Sequence, residues 1–404
     1  MNRQDTGKQK NNRKANANSA AGRNQLQQKL PHRNSTFLLL QYYLVAIRYR
    51  TIVCDLKSAI VGKTMTKSEQ PAPDAQSEKP QEQTLDNDAK RKLALECWYL
   101  TGATASGKTL VSLELAKLLN AEIISLDSMA IYREMDIGTA KPSVEEQAQC
   151  PHHMIDIVDP DQSFSVSQFR DQTIETIQSI RARGKQVLFV GGTALYLKAL
   201  VRGLFDGPPA DWEFRKQIEA ELADIEDKIL HQRLAMIDPV TANRVHENDR
   251  RRIIRAIEVY RQTGVPISHR QNEFDHGTPP EQCRVFSIRH PRPILHERIE
   301  GRVSSMFEKG FVDEVKGLLE KWKELSHSAS QAVGYREVIE LLAGERDMDQ
   351  TIEKVRVRTR RFARHQETWF RGLSECRIID LVGEVDPAET AKQIFELDTP
   401  AQST

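Results

Sequence analysis

Cysteine is scarce and badly placed for chemistry. The five residues Cys54, Cys97, Cys150, Cys283 and Cys376 are odd in number, and no two lie close enough for a metal-binding pair. That argues against a disulfide framework and for a reducing compartment. Neither sign of charge dominates: 58 basic residues face 57 acidic ones, a formal net charge of +1. Global charge therefore names no partner, and only local clusters can. Long apolar runs are missing too. The longest, residues 37–47, is interrupted by Gln41 and falls short of the ~18 residues a membrane helix needs. The polar, Asn/Gln-rich residues before it make a poor signal peptide. A cytoplasmic protein, with no membrane partner, is expected.

What is present is ordinary globular composition, 39% hydrophobic and 28% charged in 404 residues. That suffices for one large domain or two modest ones. Residues 1–90 differ from the rest: 1–34 are Asn, Gln, Lys and Arg with little acid, and 66–90 are Lys, Glu, Gln, Pro and Asp. Neither segment can bury enough apolar surface to offset chain entropy, so residues 1–90 are expected to be a disordered extension. Met65 opens a stretch that reads as a normal polar N-terminus, and the true start is placed there as an alternative.

From about residue 93, strand and helix patterns alternate. Residues 95–100, 122–126 and 186–190 read as strands, and 109–119 and 169–183 as helices, with apolar positions at helical spacing. Residues 211–262 are charged, helical and strand-free; 284–289 return to a strand pattern, 293–373 are helical again, and 377–381 suggest a last strand. The expected fold is α/β: a P-loop parallel sheet covered by helices, with an inserted all-helical subdomain. The catalytic domain would comprise 91–203 and 284–385, the insertion 204–283, and residues 386–404 a C-terminal tail.

The sharpest motif is Gly102-Ala103-Thr104-Ala105-Ser106-Gly107-Lys108-Thr109. It fits G-x-x-x-x-G-K-[ST] at every fixed position, after a strand and before a helix. Glycines let successive N–H groups point at one oxyanion, the helix N-terminus adds partial positive charge, Lys108 adds a full one, and the Thr109 hydroxyl can ligate Mg²⁺. Gly62-Lys63-Thr64 repeats three letters without the first glycine and is discarded. The loop implies a diphosphate or triphosphate but not a nucleotide. The strand at 186–190 ends in Gly191-Gly192-Thr193, where an ATPase would usually carry an acid. A small-molecule kinase binding ATP on this loop remains the alternative.

Asp127 ends the strand at 122–126, so it belongs on the ligand-binding rim of an open α/β sheet. There a carboxylate can act as general base or help hold a metal. Asp equally suits a helix N-cap or turn, and the residues alone leave both readings open. Two basic clusters stand out. Arg251, Arg252 and Arg255 lie in the insertion. Arg356, Arg358, Arg360, Arg361, Arg364 and Arg371 crowd one late helix, where Val355, Phe362, Trp369 and Phe370 share about a third of the wheel. A solvated amphipathic helix is the plain reading of such a run. Few acids balance this one, which favours a phosphate backbone.

Four blocks, in order and spacing, resemble the tRNA dimethylallyltransferase family, also called tRNA isopentenyltransferases. They are the phosphate loop; Asp127-Ser128-Met129-Ala130-Ile131-Tyr132 running on to Asp136-Ile137-Gly138-Thr139-Ala140-Lys141-Pro142; Val190-Gly191-Gly192-Thr193-Ala194-Leu195-Tyr196; and Val333-Gly334-Tyr335 with Gln366-Glu367-Thr368-Trp369. The resemblance spans residues 93–385 and is of bacterial type, without the C-terminal zinc finger that eukaryotic relatives often carry. It implies transfer of a dimethylallyl group from dimethylallyl diphosphate to N6 of adenine 37 in tRNA. In that reading residues 104–109 hold the diphosphate with Mg²⁺ aided by Thr109, and Asp127 takes a proton from N6. Thr193 and Arg215 match tRNA-contacting positions. The stretches Asp127-Ser128-Met129-Ala130 and Arg251-Arg252-Ile253-Ile254-Arg255, with Arg360, Arg361 and Arg364, complete the expected tRNA set. A monomer is expected. One departure is His365, where the family usually has Arg. That puts one phosphate contact in doubt, although His can still donate a hydrogen bond.

Overall fold

The computed structural model describes residues 86–203, 207–221, 227–269, 277–382 and 385–398. The expected N-terminal extension, Met65 and the discarded 62–64 triplet lie outside them, apart from the last residues of that extension.

Six parallel strands form one sheet: β1 (Trp98–Gly102), β2 (Ala121–Ser125), β3 (His152–His153), β4 (Gln186–Gly191), β5 (Arg284–Arg289) and β6 (Cys376–Asp380). Their spatial order is β3-β2-β4-β1-β5-β6, which puts β1 in the middle. Its register pairs Tyr99 with Phe189 on one side and with Val285 on the other. Side chains alternate across a strand. Tyr99, Val187, Phe189 and Val285 therefore face one core, and Trp98, Leu100, Leu188, Phe286 and Ile288 face the other. Helices cover both faces, so the inner strands read as continuous apolar runs rather than as alternating ones. Helices Val166–Ala182 and Ala194–Arg202 close the first face. The second is closed by Lys108–Leu119 and Pro387–Glu396.

Several expectations need correction. The strand placed at 95–100 runs Trp98–Gly102, because Asn87–Leu95 is a helix, N-capped by Asp86, that buries Ala94. Helical structure is thus already present at Asn87, ahead of the alternating pattern read from about residue 93. The segment 386–404 is more than a tail: Pro387–Glu396 is a helix whose Ala391 and Ile394 are fully buried. The short edge strand β3 was not expected; its two residues carry too little pattern to read. Residues 204–283 do contribute helices, among them Trp212–Glu221, Asp227–Ile237 and Arg250–Thr263, with a separate core around Phe214, Leu230, Leu234 and Val259.

On the late helix, Met348–Gly372, the buried face is Thr351, Val355, Thr359, Ala363, Gln366 and Phe370. The expected apolar stripe was half wrong, since Phe362 and Trp369 are exposed. Steps of four and three residues along this face are those of a straight helix lying against the sheet's ligand-binding rim. Gln366 occupies a buried position because it has hydrogen-bond partners there.

Candidate active site

The phosphate loop leaves β1 through Gly102, whose φ of +143° a side chain would rarely adopt. A Cβ there would also stand 2.5 Å from the Ile288 carbonyl oxygen of β5. The loop enters its helix through Gly107, at φ +87°. Lys108 folds back over the turn: Nζ donates to the carbonyls of Gly102 (3.0 Å) and Ala103 (2.6 Å) and to Ser106 Oγ (3.4 Å). Burial, aided by the positive charge of Arg302 and opposed by Asp127, pushes the Lys108 ammonium down to about 7.

At the neighbouring strand end, Asp127 follows β2. Its Oδ1 accepts from the amides of Met129 (2.8 Å) and Ala130 (3.4 Å). The turn-capping reading of this residue is therefore realised by one oxygen, and Oδ2 is left for other work. Thr193, at the end of β4, ties in the same turn: its Oγ1 accepts from the Ser128 amide at 3.0 Å. These groups and the phosphate loop line one cavity of ~780 Å³. Gly191 permits the approach of the two strand ends, since a Cβ there would lie 2.2 Å from the Leu126 carbonyl oxygen.

Three groups in this cavity were not identified as site residues from the sequence. Gln366 bridges the late helix to both turns: its Oε1 accepts from the Thr104 amide (2.8 Å) and its Nε2 donates to the Gly192 carbonyl (2.9 Å). Arg298 and Arg302 sit one turn apart on helix Arg292–Glu308 and reach the cavity. Arg298 Nε donates to the Ala105 carbonyl (2.8 Å) and an Arg302 nitrogen to that of Thr139 (3.2 Å). Burial lowers the pKa of Arg302, and Asp127 opposes that shift. An i,i+4 arginine pair on an otherwise ordinary helix gives no sequence signal without the fold. The Asp136–Pro142 run is held at the rim by Glu314, whose carboxylate accepts from the amides of Asp136 (3.0 Å), Ile137 (2.6 Å) and Gly138 (3.3 Å). Apolar wall comes from Val303, Met306, Ala332, Val355 and Phe362.

The expected tRNA-contacting residues divide. Ser128, Met129 and Ala130 line the cavity beside Asp127. Ile253 and Ile254 do not fit a contact role: both side chains are buried in the helical core. Arg215 and Arg255 converge on the fully buried Glu258, at 2.8 Å and 2.6 Å. Burial pushes the Glu258 carboxyl up, but hydrogen bonds from these two arginines outweigh it and hold it below the ordinary range. Arg360 pairs with Glu300 and Glu353, at 2.8 and 3.0 Å. Arg251, Arg252, Arg361, Arg364 and His365 are exposed.

A phosphate loop at the carboxyl ends of a parallel sheet, with a carboxylate beside it and an apolar wall opposite, is the arrangement of an enzyme that acts on a phosphorylated substrate with an apolar part. The IPP transferase family pattern matches residues 130–373. A tRNA dimethylallyltransferase of Rhodopirellula baltica is 48% identical over 286 residues, covering 69% of this chain and 86% of that one. One from Geobacter sulfurreducens is 41% identical over 307 residues, covering 76% and 97%. Among solved structures, the tRNA isopentenylpyrophosphate transferase of Bacillus halodurans shares 37% identity at a TM-score of 0.53, covering 75% of this chain and 94% of that one. A eukaryotic dimethylallyltransferase, described as acting on tRNA, shares 26% identity at a TM-score of 0.58, covering 76% of each chain. The chain belongs to the IPP transferase family, that of the tRNA dimethylallyltransferases.

Proposed function

We propose that this chain transfers the dimethylallyl group of dimethylallyl diphosphate to N6 of adenine 37 in tRNA. The observation that carries the reading is the shared cavity: Asp127, Lys108 and Thr109 meet there with an apolar wall. The phosphate loop binds the diphosphate, and the wall holds the five-carbon group. As the C1–O bond breaks, negative charge grows on the departing diphosphate, where the loop amides, Lys108, Arg298 and Arg302 stabilise it. N6 bonds to C1, and its proton passes to Asp127. The adenine must leave its stack to reach so recessed a site.

Thr109 and Asp127 bring hard oxygen donors to the same cavity. Among the described residues, no group of three acids, histidines or cysteines could hold an ion by itself. Mg²⁺ commonly takes one or two protein oxygens, with phosphate oxygens and waters completing its shell, so the residues fit. When bound, the ion would neutralise charge on the leaving group. No described helix is long and apolar enough to cross a membrane; a monomer working in the cytoplasm is part of the proposal. β4 ends without an acid, in Gly191, which disfavours the kinase alternative. Incubation with unmodified tRNA and dimethylallyl diphosphate, followed by nucleoside mass analysis, tests the reading. Isopentenyladenosine is expected, and unmodified adenosine alongside ATP-dependent phosphorylation of a small molecule would overturn it.

A further inference from the structure

The apolar wall of the cavity is not uniform. Val303 and Val355 are 1% exposed, and Met306 and Ala332 are buried as well, whereas Phe362 is 43% exposed. A single exposed aromatic usually needs no explanation. Phe362 differs in the direction it takes. At about 100° per residue it falls between Thr351 and Val355 on the late helix, and both of those are buried. Its side chain thus leaves the helix on the inward face, and the ring is exposed because the cavity, rather than packed side chains, lies before it. Among the described residues one other phenyl-type ring lines the cavity, that of Tyr335. It is fully buried, edge-on to Phe311 at 5.0 Å, and its hydroxyl donates to Glu314 at 2.6 Å, so neither of its faces is free. No aromatic ring or cation among the described residues stacks on Phe362.

The place of this ring along the helix also counts. Gln366 lies four residues on, about 6 Å along the axis, and its amide ties the phosphate loop to the turn after β4. That turn carries Thr193, which holds the Ser128 amide beside Asp127. Phe362 therefore stands one helical turn from the junction of the phosphate loop and the turn that presents the carboxylate.

The two parts of the wall suit different partners. Buried aliphatic side chains fit a branched five-carbon group, which needs only shape. An exposed ring with a free face fits a planar π-system. We propose that Phe362 is the stacking platform for the adenine that accepts the group, an inference that rests on the tRNA reading above. A base that leaves its stack loses contacts on both faces. The phenyl ring replaces one of them, which offsets part of the cost of extrusion, and it fixes the plane from which N6 projects.

The test removes the ring and the base separately. An anticodon stem-loop RNA, and the same RNA with an abasic residue at position 37, are each bound to the full chain in the presence of inorganic pyrophosphate, the leaving group of the proposed reaction, which supplies nothing to transfer. The quantity read is the affinity for the base-bearing RNA divided by that for the abasic one, in wild type, Phe362→Leu and Phe362→Tyr. Leucine keeps an apolar side chain and a good helix former but has no π-face. The ratio should fall by about fivefold or more in Phe362→Leu, the loss expected for one base–aromatic stack, and return in Phe362→Tyr. Because it compares two RNAs on one protein, a general loss of folding or of phosphate contacts cancels. An unchanged ratio in Phe362→Leu overturns the proposal and leaves the tRNA reading in place; weaker binding of dimethylallyl diphosphate by that variant would then assign Phe362 to the prenyl wall. A fall that Phe362→Tyr does not restore also overturns it. If the wild type binds neither RNA, the tRNA reading itself fails and the platform with it.

Discussion

The side chain of Gln366 occupies the space that a side chain on Gly192 would need. Its Nε2 donates to the Gly192 carbonyl at 2.9 Å, and a Cβ on Gly192 would sit 2.2 Å from that nitrogen. Its other end accepts from the Thr104 amide. One amide thus fixes the distance between the late helix, the phosphate loop and the turn after β4. Gln366→Ala leaves a buried carbonyl and an amide unpaired, which costs about 1–3 kcal/mol. It also frees the loop from the Thr193 turn, and misplacement on this scale costs of order 10²-fold in rate. Chemical denaturation and steady-state turnover should both register the change. Wild-type turnover in Gln366→Ala would sink the bridging role.

Asp127 spends Oδ1 on the turn, and in the proposed reaction Oδ2 serves the substrate. Asp127→Asn retains an acceptor for the Met129 amide, so folding and diphosphate binding should survive. Turnover should fall by roughly 10²–10⁴, the range for a lost general base. Single-turnover transfer to tRNA, measured beside a diphosphate titration, separates the two effects.

The Lys108 ammonium, held down to about 7 by burial, gives diphosphate binding a pH dependence of definite sign. In the free protein Lys108 loses its proton as pH rises through 7, yet a bound diphosphate requires the charged form. Affinity should be flat below that value and fall by up to about tenfold per pH unit above it. The fall ends where the bound-state pKa is reached. Proton uptake on binding at pH 8, read from calorimetry in buffers of different ionisation heat, is the expected signature. Stability of the free protein runs the other way in the same window. The unfolded chain binds the extra proton between about 7 and 10.5, so stability rises with pH there.

Much of this arrangement was legible in advance, because the phosphate loop, Asp127 and the Gly-Gly-Thr turn carry their chemistry in local spacing. Five of the six strands were also readable, since buried parallel strands are short apolar runs between turn signals. What escaped depends on neighbours distant in sequence. Arg298 and Arg302 become site residues only once their helix is laid across the loop. Ile253 and Ile254 sit within a basic run, yet helical geometry turns them inward while Arg251 and Arg252 face out. The helix Pro387–Glu396 looked like a tail because its polar residues outnumber the two that matter, Ala391 and Ile394.

Those two residues pack on helix Lys108–Leu119, the one that begins at the phosphate loop. Ile394→Ala should cost about 2–5 kcal/mol of stability, the range for truncating a fully buried aliphatic side chain. Activity per folded molecule should change far less. Denaturant unfolding followed with activity at matched folded fraction distinguishes the two.

The proposed grip on tRNA would draw on both basic clusters, but not on every arginine in them. Arg252 and Arg361 are exposed. Arg255, by contrast, donates to Glu258 and to the Pro208 carbonyl (2.8 Å) inside the helical insertion. Arg252→Ala and Arg361→Ala should each raise the KM for tRNA more than that for dimethylallyl diphosphate. Each should lower the salt slope of tRNA binding by about 0.7–0.9, the increment for one phosphate no longer neutralised. The double variant should be nearly additive, because the two residues lie on separate elements with no shared partner. Arg255→Ala should behave differently. It removes one of the two arginines from a buried carboxylate that also accepts from the Asp211 amide, so it destabilises the insertion, by up to about 3–5 kcal/mol, and lowers tRNA affinity through loss of structure. Its defect should therefore grow with temperature, whereas those of Arg252→Ala and Arg361→Ala should grow with salt. An unchanged salt slope in both exposed-site variants would reduce those arginines to a solvated surface. The recognition of tRNA would then rest on the cavity rim around Ser128, Met129 and Thr193.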